Sequence, residues 1–411
     1  MKKLFIIVAM VVLVSALVLG GCAQQAPAPT PTPAQTPAPT PAPEAKVLKI
    51  GVVYGLTGPG SQHQIMERDV SQLCADWLNE KGGVTVKGEK YKIELIVEDN
   101  KMNPAGAVDA ATKLVYQDKV KFVGGGVIPN VCQAVSTVTE KNKVVYCSSR
   151  TDIVHPEEPY TFTSNYGFAN PVPFLWELLL EKYPSVKSVG FIAEDETGAR
   201  VVQKMSEGIA KARGLTTMEP YFHPFEAPEY SAEWTKILMQ KPDAVDQGLK
   251  MPDSTANCLK TGRELGFTGP IIAAIPGDPN LIIQMVGTPE YATDFIYAGF
   301  DPYASGTPPL VTEIAKRWEA KYKTPMDADG YEAWDWQWCM VQAIEKAQSL
   351  DPTDVKNAWE NMTTIETSKG TAKMGGAKTF GINHMVCNPL TVSQFMNGKV
   401  AYTKWFDSWV P

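Results

Sequence analysis

Short apolar runs alternate with amphipathic stretches along most of this chain. The run Val47-Leu48-Lys49-Ile50-Gly51-Val52-Val53-Tyr54 stops at the turn-rich Gly55-Leu56-Thr57-Gly58-Pro59-Gly60, which predicts a buried strand. Val70, Leu73, Cys74, Trp77 and Leu78 then recur at i, i+3, i+4, i+7 and i+8 up to Gly82-Gly83, as in a helix with one buried face. The alternation continues with a strand over 91–98, a helix from Pro104 capped by Asn103, a strand over 120–124, a helix near 130–142 and a strand over 143–148. After Tyr160-Thr161-Phe162 a second series begins: helix near 170–183, strand 188–193, helix 197–213, strand near 217–222, helix 231–240, strand 243–248, helix 253–266 and strand 270–275. Two such series predict an α/β protein with two doubly wound parallel sheets, each covered by helices on both faces.

The remainder is less regular. Phe295 to Phe300 reads as a strand, and helices follow near 308–323 and 329–348, the second with Trp334, Trp338, Val341 and Ile344 on one stripe. Leu390 to Phe395 and Val400 to Phe406 form a hairpin turned at Asn397-Gly398, a pair suited to a two-residue turn.

The first 46 residues do not join this pattern. Lys2 and Lys3 precede an apolar run from Leu4 to Leu19, which ends in Leu19-Gly20-Gly21-Cys22 and has the parts of an export signal. The run is shorter than the roughly 20 residues needed to span a bilayer. Its ending resembles the lipobox of bacterial lipoproteins, which makes 1–22 the signal and Cys22 the acylated residue. Residues 23–46 are mostly Ala, Gln, Thr and Pro, without a side chain that could join a core, and read as a tether. In polyproline II it reaches roughly 60–70 Å at about 3.1 Å per residue.

Charge and cysteine content narrow the class further. Removing Lys2 and Lys3 from 38 basic residues leaves 36 against 45 acidic ones, a net charge of −9 after cleavage, which disfavours nucleic acid and anionic lipid as partners. Cys74, Cys132, Cys147, Cys258, Cys339 and Cys387 are widely spaced and form no C-x-x-C pair, which disfavours a zinc site; Cys74 and Cys339 fall on apolar helix stripes as buried thiols.

Catalytic signatures are missing. The 4 histidines, His63, His155, His223 and His384, show no i, i+4 pairing, so no metal centre is expected, and neither a G-x-S-x-G elbow nor a P-loop occurs. Gly124-Gly125-Gly126 sits between a strand and a helix, but Pro129 stands where a dinucleotide loop needs its last glycine; a close backbone turn fits better and no cofactor is expected. Glu194-Asp195-Glu196 reads as a solvated turn rather than a carboxylate site. In open α/β sheets ligands bind beyond the carboxyl ends of the strands, here 54–63, 125–130, 147–151, 193–197, 247–251 and 274–278. These loops lack a nucleophile and base, which suits reversible binding better than turnover.

Ile50-Gly51-Val52 through Leu56-Thr57-Gly58-Pro59, Trp77-Leu78-Asn79-Glu80-Lys81-Gly82-Gly83-Val84, Glu98-Asp99 with Asn103-Pro104 and Ala107, and Gly330-Tyr331-Glu332-Ala333 leading to Ala343-Ile344-Glu345-Lys346-Ala347 follow one another in a specific order and spacing. In these landmarks the chain resembles the type I periplasmic binding proteins, in particular the branched-chain amino-acid receptors of ABC transporters. The resemblance covers nearly the whole domain after the tether. It implies lobe 1 from 47–167 plus 301–378 and lobe 2 from 168–300 plus 379–411, joined by crossovers near 165–169, 298–303 and 375–388. Hinge closure on a ligand is then read by ABC permease subunits. A monomer is expected.

Carried over residue by residue, the resemblance places Pro129 and Asn130 in one carboxylate-holding loop of the first lobe, and Ser149 and Thr151 in the other. His63 stands where an aromatic often covers the ligand, or is a solvated histidine at the start of a helix. Arg150 either pairs with a carboxylate, caps a helix or meets Glu157. Tyr54, Tyr166, Phe168 and Trp334 are candidate apolar walls, Trp334 equally a core residue. The second lobe departs from the amino-acid pattern: Lys250 and Pro276 fall in the loops that usually clamp an ammonium, and Thr197 replaces a bulkier aromatic. Lysine repels an ammonium and the proline side chain accepts no hydrogen bond. Asp278 either replaces the missing acid or caps the helix after Pro279. The expected ligand is a carboxylate lacking the α-amino group, aromatic or aliphatic; the alternatives are a branched-chain or other amino acid, and a role as the sensing subunit of a receptor.

One prediction rests on the sequence alone. Cys22→Ser should take up no labelled fatty acid and keep its leader uncut, whereas the unchanged chain should be labelled and shortened by its leader; equal labelling of both would remove the anchor.

Overall fold

The computed structural model describes residues 46–58, 61–149, 154–164, 170–224, 229–250, 252–274 and 279–407. Cys22 and residues 23–45 of the tether lie outside them, as do Arg150, Thr151, Tyr166, Phe168, Pro276 and Asp278; Lys46, expected as the last tether residue, instead opens the first strand. Among the described residues no helix is long and apolar enough to cross a membrane.

The first lobe opens with β1 (Lys46–Tyr54), α1 (Ser61–Glu80), β2 (Val84–Val86), β3 (Glu89–Asp99), α2 (Pro104–Thr112), β4 (Phe122–Gly124), α3 (Pro129–Lys141), β5 (Val145–Ser148) and β6 (Thr161–Thr163). The second lobe holds α4 (Val172–Lys182), β7 (Ser188–Glu194), α5 (Thr197–Ala212), β8 (Thr216–Thr217), β9 (Tyr221–His223), α6 (Ser231–Met239), β10 (Ala244–Asp246), α7 (Pro252–Glu264), β11 (Ile271–Ala273), α8 (Pro279–Val286) and β12 (Phe295–Ala298). The chain then returns to the first lobe with α9 (Pro309–Tyr322), α10 (Asp329–Ala347), α11 (Pro352–Glu360), β13 (Thr364–Thr367), β14 (Gly370–Gly375), α12 (Ala377–Phe380) and β15 (Met385–Cys387). It ends in the second with the hairpin β16 (Leu390–Met396) and β17 (Lys399–Phe406).

The sheet orders are β13-β14-β15-β6-β5-β4-β1-β3-β2 and β17-β16-β12-β11-β10-β7-β8, with β9 paired to β7. The chain therefore passes between sheets after β6, after β12 and after β15. The last passage corrects the expected lobe boundary: β15 pairs with β14 and with β6 at Thr163, so residues 379–387 belong to the first lobe, and only Asn388 and Pro389 separate the sheets. Ile382, Met385 and Cys387 pack there against Val154.

Both sheets are buried on both faces, which accounts for their continuous apolar runs. In β1, Ile50, Val52 and Tyr54 join the cluster around α1 and α10, while Val53 points to the layer of α2 and α3. In the second sheet Val189 and Phe191 pack on the side of α4 and α5, and Ile192, Val245 and Ile271 on the side of α6 and α7. Asn103 caps α2 as expected, its Oδ1 accepting from Gly106 N at 2.9 Å. The strand expected near 217–222 is split, with Pro220 between β8 and β9 contributing no N–H to a ladder. The strand expected over 243–248 stops at Asp246, whose carboxylate accepts from Gly248 N at 2.6 Å while Gly248 turns to φ +63°. All six described cysteines are buried free thiols.

Candidate functional site

In the first lobe the loops at the carboxyl ends of the strands are held by their own hydrogen bonds. Gly55 N donates to Gln64 Oε1 at 2.6 Å, while Leu56 N and the Thr57 hydroxyl donate to the Asp99 carboxylate at 2.8 and 2.6 Å. Burial works against the charge on Asp99, but these donors and Lys101 N outweigh it and hold the carboxyl below its ordinary value. After β4 the chain runs against Trp336: a Cβ at Gly124 would lie 2.1 Å from its ring. Trp336 Nε1 donates to the Tyr54 hydroxyl at 3.1 Å. Gly125 and Gly126 turn at φ +94°, and Gly125 N reaches Cys147 O at 3.1 Å. The triple glycine is thus a close backbone turn, as its sequence suggests.

That turn delivers α3. Its N-cap, Ile128, has no side chain that bonds the first turn, and Pro129 and Asn130 are exposed at its start. Ser149 is tied to the same turn through its amide, which donates to Gly126 O at 3.2 Å. Its side chain is 1% exposed, and its hydroxyl has no hydrogen-bond partner among the described residues. A buried hydroxyl without a partner costs about 1–3 kcal/mol. An uncapped helix N-terminus beside such a hydroxyl offers donors to an anion.

His63 lies in the first turn of α1, its Nε2 3.4 Å from Glu67 Oε1 and 3.1 Å from Asp329 Oδ2. Burial opposes its charge, but the two carboxylates prevail and raise its pKa to about 11. Tyr54 and Trp334, candidate walls in sequence, are fully buried core residues: Trp334 packs on Trp77 with ring centroids 5.1 Å apart, and the Tyr54 hydroxyl lies 3.4 Å from Ser71 Oγ.

The second lobe presents a different surface. The Glu194-Asp195-Glu196 stretch divides: Glu194 is buried at the end of β7, Asp195 is exposed and pairs with Arg200, and Glu196 caps α5 by accepting from Gly198 N at 2.8 Å and Ala199 N at 3.1 Å. The expected solvated turn therefore holds for two of the three. Thr197 is exposed as the first residue of α5. Lys250 is 1% exposed, and its ammonium donates to Ile192 O at 2.7 Å and Gln247 O at 2.8 Å. Burial lowers its pKa, against the pull of Cys258, Glu194, Asp246 and Glu233. Asp246 is held by Gly248 N and by the Ser206 hydroxyl, which itself accepts from Trp176 Nε1 at 2.6 Å. His223, at the end of β9, is pushed down to about 4 by burial and by Lys250, and its Nδ1 lies 2.8 Å from Pro224 O. The family resemblance singled out Lys250, but not Glu194, Asp246 or His223 as its surroundings, because these come from three separate strands.

The pattern that defines the periplasmic binding proteins matches residues 47–399. The chain is 24% identical over 356 residues to a Leu/Ile/Val-binding protein homolog 8 of Brucella melitensis, across 82% of this chain and 85% of that protein. It is 36% identical over 98 residues to the Leu/Ile/Val-binding protein BraC3 of Rhizobium johnstonii, a match that spans 24% of this chain and only 25% of that protein. The fold is shared with the branched-chain amino acid transporter substrate-binding protein LivJ of Streptococcus pneumoniae, solved with isoleucine (TM-score 0.68, 19% identity, 88% of this chain and 99% of that one). It is also shared with a solute-binding protein of an ABC transporter from Rhodopseudomonas palustris BisB5, solved with 3,4-dihydroxybenzoic acid (TM-score 0.67, 18% identity, 89% and 96%).

The raised pKa of His63 gives a signed prediction. A histidine charged more readily in the folded state stabilises it fully below the unfolded value of about 6.5, and that contribution fades as pH climbs to the folded value. The unfolding free energy of the parent should exceed that of His63→Gln by about 1–2 kcal/mol near pH 6, discounted for partial exposure, and the gap should close by about pH 11. A gap independent of pH in urea titrations would remove the imidazolium from the account.

Proposed function

The chain belongs to the periplasmic binding protein family, and on that footing we propose that it is the lipid-anchored receptor of an ABC importer, taking a carboxylate without an α-amino group between its lobes. The anchor rests on the Cys22 lipobox, and the importer on the structural neighbours that belong to transporters. The observation that carries the ligand class is the pairing of an uncapped α3 with the unpartnered Ser149 hydroxyl on the first lobe. A carboxylate there accepts from the hydroxyl and from Asn130 N, since Pro129 has no N–H and Val131 N and Cys132 N already donate to Ile128 O, and it meets the positive end of the helix. Arg150 and Thr151, next along the chain, supply further donors, with Asn130 at the helix start.

The second lobe favours the absence of an ammonium. Its own helix N-terminus, at α5, is already taken by Glu196, and the charge of buried Glu194 is met from within by Lys250. An incoming ammonium would find this negative charge already balanced by a fixed cation nearby. Lys250 acts here as a charge beneath the floor, through its two carbonyl partners, and not as a hand that grips the ligand. In this reading Thr197, exposed at the start of α5, contributes to the wall. A second reading, a branched-chain amino acid, draws on Glu194 as a buried acid at a strand end and on the relatives named for leucine, isoleucine and valine.

Unfolding releases any carried ligand, so refolded protein is assayed by thermal shift against aromatic and aliphatic acids and against leucine and valine. A true ligand at 100 times its dissociation constant stabilises by about 2.7 kcal/mol. The expected outcome is stabilisation by a non-amino acid, weakened by about 1.5–3 kcal/mol in Ser149→Ala. Stabilisation by leucine or valine alone would establish the second reading instead.

A further inference from the structure

His63, Glu67 and Asp329 share no residue with the anion site just described, and their geometry is that of a cation site. His63 and Glu67 are one helical turn apart on α1, and Asp329 lies in the first turn of α10. The two helices run parallel: Ser71 meets Ala333, Cys74 meets Trp334, and further on the Trp77 and Trp338 rings lie 5.5 Å apart. Their N-terminal turns therefore come together at the edge of the lobe where β1 delivers its loop.

One nitrogen and two carboxylate oxygens, one from each residue, lie within 4.8 Å of one another. A tetrahedral zinc ion with bonds of about 2.0–2.2 Å holds its ligand atoms about 3.3–3.5 Å apart. His63 Nε2 stands 3.4 Å from Glu67 Oε1 and 3.1 Å from Asp329 Oδ2, within a few tenths of an ångström of that spacing. Glu67 is 1% exposed and Asp329 19%, so both carboxylates are held in place, while His63, at 36%, leaves one side open. With the imidazole protonated, the three groups carry a net charge of −1 in a largely buried setting. Exchange of that proton, lost to solvent, for a dication brings them to zero.

We propose that His63, Glu67 and Asp329 bind one divalent transition-metal ion of the zinc class, with water or a ligand oxygen in the fourth position. An imidazole with two carboxylates suits zinc and its neighbours better than magnesium or calcium, which prefer more numerous oxygen donors. The site is independent of the carboxylate reading, because it can be filled in the absence of any organic ligand.

The test uses the full chain without an affinity tag, stripped with a chelator and titrated calorimetrically with ZnCl2, and separately with MgCl2. One saturable zinc site, absent for magnesium, is expected. His63→Ala and Asp329→Asn should each weaken it by at least the about 10- to 100-fold that even an outer-shell partner commands. Asp329→Asn retains the His63–Glu67 contact, and circular dichroism on both variants separates lost binding from lost fold. Cobalt should give the intense visible bands of a tetrahedral site in the parent chain only. No saturable zinc binding, or binding unchanged in a folded Asp329→Asn, overturns the proposal.

Discussion

Parallel strands buried on both faces leave only their ends available for chemistry, and that constraint governs this molecule. Once α1 and α10 cover one face of the first sheet and α2 and α3 the other, function can reside only in the loops at the carboxyl edge. There the packing is tight enough to dictate residue type. Trp336 lies so close that position 124 can carry no side chain, and its indole fixes the Tyr54 hydroxyl. The turn at Gly125 and Gly126 that follows aims α3 outward and draws in Ser149 through its amide. The anion site proposed for the first lobe thus rests on core packing a few residues below it.

The two lobes carry the same architecture with opposite electrostatic finish. On the first, a helix N-terminus is left without a capping side chain; on the second, Glu196 supplies the cap. Beneath the second surface, Lys250 is bound to two backbone carbonyls and faces Glu194, Asp246 and a neutral His223. A buried ammonium is tolerated only with such partners. In the proposed reading its presence offsets the buried negative charge of the lobe.

Much of this was legible from residue pattern. Apolar runs and helical periodicity located most strands and helices, Asn103 announced its helix, and Asn397-Gly398, at φ 52° and 71°, made the turn its sequence called for. The short elements of 352–387 were missed. Strands such as β13 and β15 are three or four residues long and take their pairing from distant partners, which leaves little periodicity to detect. Buried charge was equally hidden. Nothing local separates Glu194 from exposed Asp195, or shows that Lys250 turns inward; these follow from sheet register, which brings Glu194 beside His223 and Asp246 beside Phe191. His63 and Glu67 are visibly one turn apart, yet Asp329 reaches them only through the packing of α10 on α1.

The central claim is that charge is divided between the lobes, with the anion held by the first. A crystal structure of the closed protein with its ligand addresses this most directly. The account predicts the carboxylate on Ser149 and the first turn of α3, the remainder of the ligand against the second lobe, and Lys250 still bonded to Ile192 O and Gln247 O. A carboxylate on the second lobe, or an ammonium on Glu194 with Lys250 turned away, would contradict it.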